Sequence, residues 1–189
     1  MENKILIIGI TGGFGSGKST AASFFEKKGF RKIILSSFLE EEARKRGFKN
    51  ITRKVLQDIG NEWRRKYGNG ILVKKSIEYI EKNKIKKAVV DGIRNTGEIK
   101  EFRKTKNFIL LAIASSKKNR FERLKNLKRR EKLTQEIFKR LDRRDQGLGQ
   151  KKSGLQVTAC SKLADIIISN NRGAKEFKNK LNELLNNIL

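Results

Sequence analysis

The sequence predicts an α/β domain in which helices flank a five-stranded parallel sheet. Five short runs, nearly continuous in Ile, Val and Leu, alternate with amphipathic segments along the chain. Runs of this kind are typical of strands buried on both faces, and their alternation with helices is typical of a parallel sheet. No repeat and no linker divides the 189 residues, a length that fits one domain. We therefore expect a single domain over 1–189.

Each predicted strand is a short apolar run, and the five runs are 5–9, 32–35, 88–91, 108–114 and 164–169. The segments between them repeat apolar residues every three or four positions, which predicts helices with one buried face. Three such faces are Ile51, Val55, Leu56, Ile59 and Trp63; Leu133, Ile137, Phe138 and Leu141; and Phe177, Leu181, Leu184, Leu185 and Ile188. We interpret all three as core.

Two regions lie outside the regular alternation of strands and helices. Region 36–83 holds several predicted helices between the second and third strands. Region 117–152 carries 15 Lys and Arg against 5 Asp and Glu. Both regions are candidates for parts that move.

The composition narrows the classes of function. The formal net charge of +26 favours polyanionic ligands, which fits either a phosphate-handling enzyme or a nucleic-acid-binding protein. The first is favoured because the basic residues are spread along the chain without a nucleic-acid-binding motif. Cys160 is the sole cysteine and His is absent, which excludes an intrachain disulfide, His-dependent triads and zinc sites built on Cys or His. We expect a cytoplasmic protein, and no membrane span, since no apolar stretch approaches about 20 residues.

A phosphate-binding loop is the most specific motif. The segment from Gly12 to Ser19 matches G-x-x-x-x-G-K-[ST], follows the first predicted strand and opens a helix. Backbone N–H groups of such a loop form an anion site, Lys18 places a charge on the β- and γ-phosphates, and Ser19 is a Mg²⁺ ligand. The alternative is a Gly-rich turn that caps a helix. We predict ATP and Mg²⁺ as cofactors, held by Gly12, Gly13, Phe14, Gly15, Ser16, Gly17, Lys18, Ser19 and Thr20.

The end of the third predicted strand carries a second set of candidate residues. Asp91 lies at the carboxyl end of this buried run, where ligands bind in open α/β sheets. Its carboxylate is a candidate Mg²⁺ ligand together with Ser19. Arg94 follows the turn and is a candidate phosphate ligand. The alternative is an Asp-Gly turn beside a solvated arginine.

Three segments resemble known kinases. Segment 9–22, Gly-Ile-Thr-Gly-Gly-Phe-Gly-Ser-Gly-Lys-Ser-Thr-Ala-Ala, and segment 164–170, Ala-Asp-Ile-Ile-Ile-Ser-Asn, resemble dephospho-CoA kinases. Segment 91–94, Asp-Gly-Ile-Arg, resembles the D-G-[FI]-P-R turn of adenylate-type nucleoside monophosphate kinases without its proline. The chain is similar to an archaeal-type branch of dephospho-CoA-kinase-like P-loop proteins. It has Leu35-Ser36-Ser37 where dephospho-CoA kinases have an acidic D-A-D segment, so the acceptor is left open.

The resemblance implies a three-layer P-loop NTPase fold with strand order 2-3-1-4-5. It also implies that 36–83 is an acceptor-binding insertion, with Ser37, Arg44, Arg53, Arg64 and Arg94 as acceptor ligands. Ser37 with Glu40 could instead form a capping box, and each arginine could lie on a solvated face. Region 117–152 would be a basic lid, whose arginines are Arg120, Arg123, Arg129, Arg130, Arg140, Arg143 and Arg144. Asn170 would lie near adenine, or in a helix N-cap.

The favoured function is transfer of the γ-phosphate of ATP to a small nucleotide acceptor. The candidate catalytic residues are Lys18, Asp91, Arg94 and the pair Arg140 and Arg144, which lie one helical turn apart. Two alternatives stay open: a nucleic-acid-directed kinase, and an ATPase switch that binds RNA or a protein partner. The sequence leaves the oligomeric state open.

Overall fold

A five-stranded, all-parallel sheet organises the chain in the computed structural model, which describes residues 5–125 and 133–189. The strand order is β2-β3-β1-β4-β5, so the predicted fold class and strand order are confirmed. The strands are β1 (Leu6–Thr11), β2 (Arg31–Ile34), β3 (Lys87–Ile93), β4 (Phe108–Ala114) and β5 (Ile166–Ser169). The helices are α1 (Lys18–Lys27), α2 (Leu35–Lys45), α3 (Arg53–Tyr67), α4 (Ile71–Lys82), α5 (Thr96–Phe102), α6 (Lys117–Lys125), α7 (Gln135–Gln146), α8 (Val157–Lys162) and α9 (Ala174–Ile188).

Both faces of the sheet are covered, which explains why its strands are nearly continuous in apolar residues. Successive side chains of a strand point to opposite faces. Ile7 accordingly packs in the core formed with α2 to α5, whereas Ile8 packs in the core formed with α1 and α9. A third, smaller cluster joins Phe14 to Leu124, Phe138 and Leu141. It packs α6 and α7 against the phosphate-binding loop, as expected for the apolar face predicted at 133–141.

The first and third strands extend two residues beyond their predicted ends. The pairing of these neighbours shifts register between Ile10 and Thr11, and Thr11 then lies opposite Ile93. The Thr11 hydroxyl donates to the Ile93 carbonyl at 2.8 Å. Asp91 therefore lies within β3 rather than at its end, and is held by strands on either side.

Helices α2, α3 and α4 form the region between β2 and β3 that corresponds to the predicted insertion. Helix α2 begins at Leu35, directly after β2, so Ser37 lies inside the helix and donates to the Ile34 carbonyl at 2.7 Å. The capping box of Ser37 with Glu40 is therefore wrong. Helix α3 begins after Thr52, whose hydroxyl accepts from the Val55 N–H. Within 5–125 and 133–189, no helix is both long and apolar enough to cross a membrane.

Candidate active site

The loop between β1 and α1 is folded so that a side chain is excluded at several of its glycines. Gly12, Gly15 and Gly17 all have φ between +82° and +140°, a region that favours glycine. A Cβ added at Gly15 would lie 2.7 Å from a Leu124 methyl carbon and from the Arg120 carbonyl. The Ser16 hydroxyl is buried and has no hydrogen-bond partner among the described residues. The loop thus offers a polar group and a close-packed backbone, which fit a phosphate.

Lys18 extends back over this loop. Its Nζ donates to the carbonyls of Gly12 at 2.7 Å and Gly13 at 2.8 Å. Burial, reinforced by the positive charge of Arg94, lowers the pKa of Lys18 from 10.5 to about 8. Phosphate groups would compensate this buried charge, because an anion next to an ammonium group favours its protonated form.

Ser19 and Asp91 form a pair of oxygen ligands at the start of α1. The Ser19 hydroxyl donates to Asp91 Oδ2 at 2.9 Å across the gap between helix and strand. Mg²⁺ takes oxygen ligands and is commonly held by one or two protein groups together with phosphate oxygens and water. The two residues predicted as metal ligands therefore fit Mg²⁺. Among the described residues, no group of three or more Asp, Glu, His or Cys side chains is arranged to hold a metal ion.

Two arginines of the predicted lid hold the back of the loop. Arg120 pairs with buried Asp142 on α7 and donates to the Phe14 carbonyl at 3.1 Å. Arg123 donates to the Asn170 carbonyl at 2.7 Å. The Asn170 amide in turn donates to the Ser16 carbonyl at 2.8 Å. Asn170 therefore supports the loop backbone, and the N-cap of α9 is Gly173 rather than Asn170.

A buried carboxylate that sequence reasoning missed joins the predicted acceptor region to the core. Asp145, on α7, is fully buried and accepts from Arg53 Nη2 at 2.8 Å, while Arg94 Nη1 lies 3.8 Å from the same oxygen. Burial opposes ionisation, yet Arg53, Arg94 and Lys18 together hold the pKa of Asp145 below its ordinary value. The guanidinium of Arg53 also lies 4.1 Å from the centre of the Phe14 ring. The sequence did offer one signal that Asp145 is buried, because it follows Phe138 and Leu141 on the same face of the predicted helix.

A second buried ion pair fixes the turn after β3. Arg64 donates to Glu98 Oε1 from Nη2 at 2.7 Å and from Nε at 3.1 Å. Glu98 Oε2 accepts the backbone N–H groups of Arg94 at 2.7 Å and Asn95 at 3.0 Å. Arg64, on α3, therefore positions the turn that carries Arg94.

One cavity of about 680 Å³ connects the loop with helices α2 and α3, a volume typical of ligand sites. Its wall at the loop includes Phe14, Gly15, Gly17, Lys18, Ser19 and Thr20. The other lining residues include Arg53, Arg64, Asp91, Arg94 and Arg123. The predicted nucleotide site and several predicted acceptor ligands are thus brought together.

Four of the predicted catalytic and acceptor-binding residues do not line this cavity in the described chain. The Arg44 side chain is 67% exposed and pairs with Glu40 at 3.7 Å. Arg144 donates to Asp58 on α3 at 2.5 Å, and Arg140 is exposed. Together with Ser37, these arginines lie outside the cavity wall, since they are exposed or pair with other side chains. Arg129 and Arg130 lie outside the described residues.

The buried charge of Lys18 predicts a specific pH dependence of stability. The pKa of Lys18 is about 8 in the folded protein and 10.5 in the unfolded chain. Protonated Lys18 therefore lowers the free energy of unfolding by about 3 kcal/mol. The cost is fully present below pH 8 and is relieved as pH rises towards 10.5, so the free energy of unfolding should rise across this window. Lys18→Met should remove this dependence. Urea unfolding between pH 7 and 10 measures the free energy of unfolding of the unchanged protein and of Lys18→Met. If the difference between these two free energies does not change with pH, the prediction is contradicted.

No family model matches this chain, but sequence relatives cover almost its whole length. A UPF0200 protein from Sulfurisphaera tokodaii is 36% identical over 186 residues, which cover 98% of each chain. A UPF0200 protein from Methanocaldococcus jannaschii is 32% identical over 188 residues, which cover 98% of this chain and 91% of the relative. The names of these relatives state a family and no activity.

Several solved structures with a similar fold are kinases of small molecules. Shikimate kinase from Aquifex aeolicus has a TM-score of 0.56 at 17% identity, covering 96% of this chain and 97% of the other. Dephospho-CoA kinase from Campylobacter jejuni has a TM-score of 0.55 at 15% identity, covering 100% and 98%. At these identities the similarity shows the fold alone. The fold is therefore that of small-molecule P-loop kinases, with no distinction among their groups.

Proposed function

The chain belongs to the UPF0200 protein family, and we propose that it is an ATP-dependent phosphotransferase that acts on a small nucleotide. The observation that carries the proposal is a cavity that joins the phosphate-binding loop to arginines of the helical region. A P-loop by itself fits many nucleoside triphosphatases. A second, cationic compartment open to the same loop is what a transfer to an acceptor needs.

The ATP half of the site lies at the loop. The backbone of the loop, Lys18 and the Ser16 hydroxyl would hold the β- and γ-phosphates, and Ser19 with Asp91 would hold Mg²⁺. When bound, Mg²⁺ neutralises charge that develops on the phosphate oxygens. In the transfer, the bond from the γ-phosphorus to the bridging oxygen breaks, ADP leaves, and an acceptor oxygen forms the new bond to phosphorus.

The acceptor half lies between the loop and α3. Arg53 and Arg94 flank Lys18 and would orient an anionic acceptor for in-line transfer, because a guanidinium group can donate two parallel hydrogen bonds to a phosphate. Asp145 and Glu98 keep Arg53, Arg94 and Arg64 in place before any acceptor arrives. Such pre-positioning accounts for much of the catalysis of phosphoryl transfer, which needs little covalent chemistry from the protein.

An acceptor screen tests the proposal. The protein is incubated with Mg²⁺ and γ-labelled ATP against the ribo- and deoxynucleoside monophosphates, dephospho-CoA and a short 5′-hydroxyl RNA. We expect label on one small nucleotide, and a rate lower by at least about 10²–10³-fold in Lys18→Ala, because the positive charge that stabilises the transferring phosphoryl group is lost.

Two other results would decide against the proposal. Label that appears only on RNA would favour a nucleic-acid-directed kinase. Slow release of phosphate without any labelled acceptor would favour an ATPase switch. In either case the rate of label transfer or phosphate release should fall at least about 10²–10³-fold in Lys18→Ala, which separates this protein from a contaminating kinase.

A further inference from the structure

The side chain of Gln57 is buried at the cavity wall without the partners that a buried amide requires. It is 3% exposed, lines the cavity, and neither its Nε2 nor its Oε1 has a hydrogen-bond partner within the described chain. Buried polar side chains are nearly always hydrogen-bonded, because an unsatisfied group loses its interactions with water and gains nothing. An exception that faces a cavity therefore calls for a ligand.

Gln57 belongs to a polar stripe along α3. Arg53, Gln57, Gly60 and Arg64 are spaced by four, three and four residues, so they share one face of the helix. Arg53, Gln57 and Arg64 all line the cavity. The stripe is roughly 16 Å long at the rise of an α-helix. Helix α3 thus presents hydrogen-bonding groups to the cavity along its length, although its neighbouring face is apolar.

Arg64 has a free donor on the same stripe. Its Nε and Nη2 are engaged by Glu98, but Nη1 is buried and has no partner among the described residues. Gly60 leaves room beside it, since a Cβ there would lie 3.3 Å from Nη1. The stripe therefore offers one acceptor, Gln57 Oε1, and donors on Gln57 and Arg64.

We infer that Gln57 and Arg64 Nη1 form a base-recognition subsite, which binds the hydrogen-bonding edge of the acceptor's nucleobase. This inference rests on the proposed function and names the part of the acceptor that the site distinguishes. A glutamine amide places a donor and an acceptor side by side in one plane, which matches the edge of a base. Arg53 and Arg94, nearer the loop, take the phosphate of the same molecule.

The remaining wall favours a planar base over a polyol or a second phosphate. Leu39, Leu56 and Leu72 line the cavity near the stripe, and apolar walls suit the faces of an aromatic ring. A polyol would require polar partners for several hydroxyls. A second phosphate would meet only the neutral Gln57 and a guanidinium whose charge is already balanced by Glu98.

Binding measurements separate the subsite from phosphate recognition. Isothermal titration with AMP, GMP, CMP and UMP is compared with ribose 5-phosphate, which carries the same sugar and phosphate without a base. All titrations contain saturating β,γ-methylene-ATP and Mg²⁺, so the loop is occupied. We expect at least one nucleotide to bind about 10- to 100-fold more tightly than ribose 5-phosphate.

Gln57→Leu is expected to reduce that preference to less than about 3-fold while ribose 5-phosphate binds as before. Retained ribose 5-phosphate binding shows that the variant is folded, and Gln57→Met, with the length of glutamine, repeats the measurement if leucine does not fit. Gln135→Leu, at an exposed position of α7, is the matched control and should keep the preference.

Two outcomes would overturn the inference. One is that all four nucleotides bind the unchanged protein no more tightly than ribose 5-phosphate. The other is that Gln57→Leu weakens nucleotides and ribose 5-phosphate equally. Because no phosphate is transferred in these titrations, a protein that shows the preference but labels no acceptor would contradict only the proposed phosphotransferase activity.

Discussion

Asp145→Ala is expected to lower the free energy of unfolding by about 3–5 kcal/mol. The carboxylate is fully buried and balances Arg53 at 2.8 Å, Arg94 at 3.8 Å and the nearby charge of Lys18. Its removal leaves three cations close together at the cavity wall without a balancing carboxylate. Removing one partner of a buried ion pair costs far more stability than the intact pair contributes, because the remaining charge is uncompensated.

Urea unfolding at pH 7 measures this loss, and Asp58→Ala provides the matched control. Asp58 also accepts from an arginine, Arg144 at 2.5 Å, but its side chain is 45% exposed, so its loss should cost at most about 1 kcal/mol. Inorganic phosphate should raise the Tm of Asp145→Ala more than that of the unchanged protein, since an anion replaces the missing charge. Equal losses in the two variants would refute the role assigned to Asp145.

The charges around Asp145 also determine whether acid raises or lowers the stability of the fold. The pKa of Asp145 is lower in the folded protein than in the unfolded chain. The stabilisation that its carboxylate gives to the fold is therefore fully present above the ordinary aspartate pKa. It is lost as pH falls through the folded-state value. The difference between the unchanged protein and Asp145→Ala should therefore be largest near neutral pH and shrink in acid.

Glu98→Ala is the second change with a large expected effect, again about 3–5 kcal/mol. The side chain is fully buried and accepts from Arg64 and from the backbone N–H groups of Arg94 and Asn95. Its loss leaves a buried guanidinium unpaired and removes one half of the capping box that begins α5. The turn that carries Arg94 loses its anchor at the same time, so phosphate binding should weaken as well.

Thermal unfolding and phosphate titration test both consequences. Glu101→Ala, on the same helix, is the control, because Glu101 pairs with a Lys104 side chain that is 69% exposed and should contribute less than about 1 kcal/mol. A Glu98→Ala protein with an unchanged Tm would show that the ion pair does not stabilise the fold. If Glu98→Ala is destabilised but binds phosphate with normal affinity, Glu98 stabilises the fold without being needed to position Arg94.

The fold and the nucleotide half of the site could be predicted from the sequence because they depend on neighbours along the chain. The phosphate-binding loop is contiguous from Gly12 to Ser19, and its glycines and lysine specify their own local geometry. The apolar runs predicted the strands, and the resemblance to P-loop kinases supplied the strand order. Within the sheet, errors were confined to strand ends, such as the extension of β3 past Asp91, which depends on the pairing of Ile93 with Thr11.

The acceptor half was decided by the tertiary structure. Arg44, Arg53 and Arg64 are equivalent in the sequence, yet Arg44 is exposed in the structure. Arg53 pairs with Asp145, 92 residues away, and Arg64 pairs with Glu98, 34 residues away. Arginines at helical spacing fit a solvated face as well as a binding site, and only the rotation and packing of each helix distinguish the two. Gln57 carries no signal in the sequence at all, since an amide becomes informative only when packing buries it at a cavity and leaves it without partners.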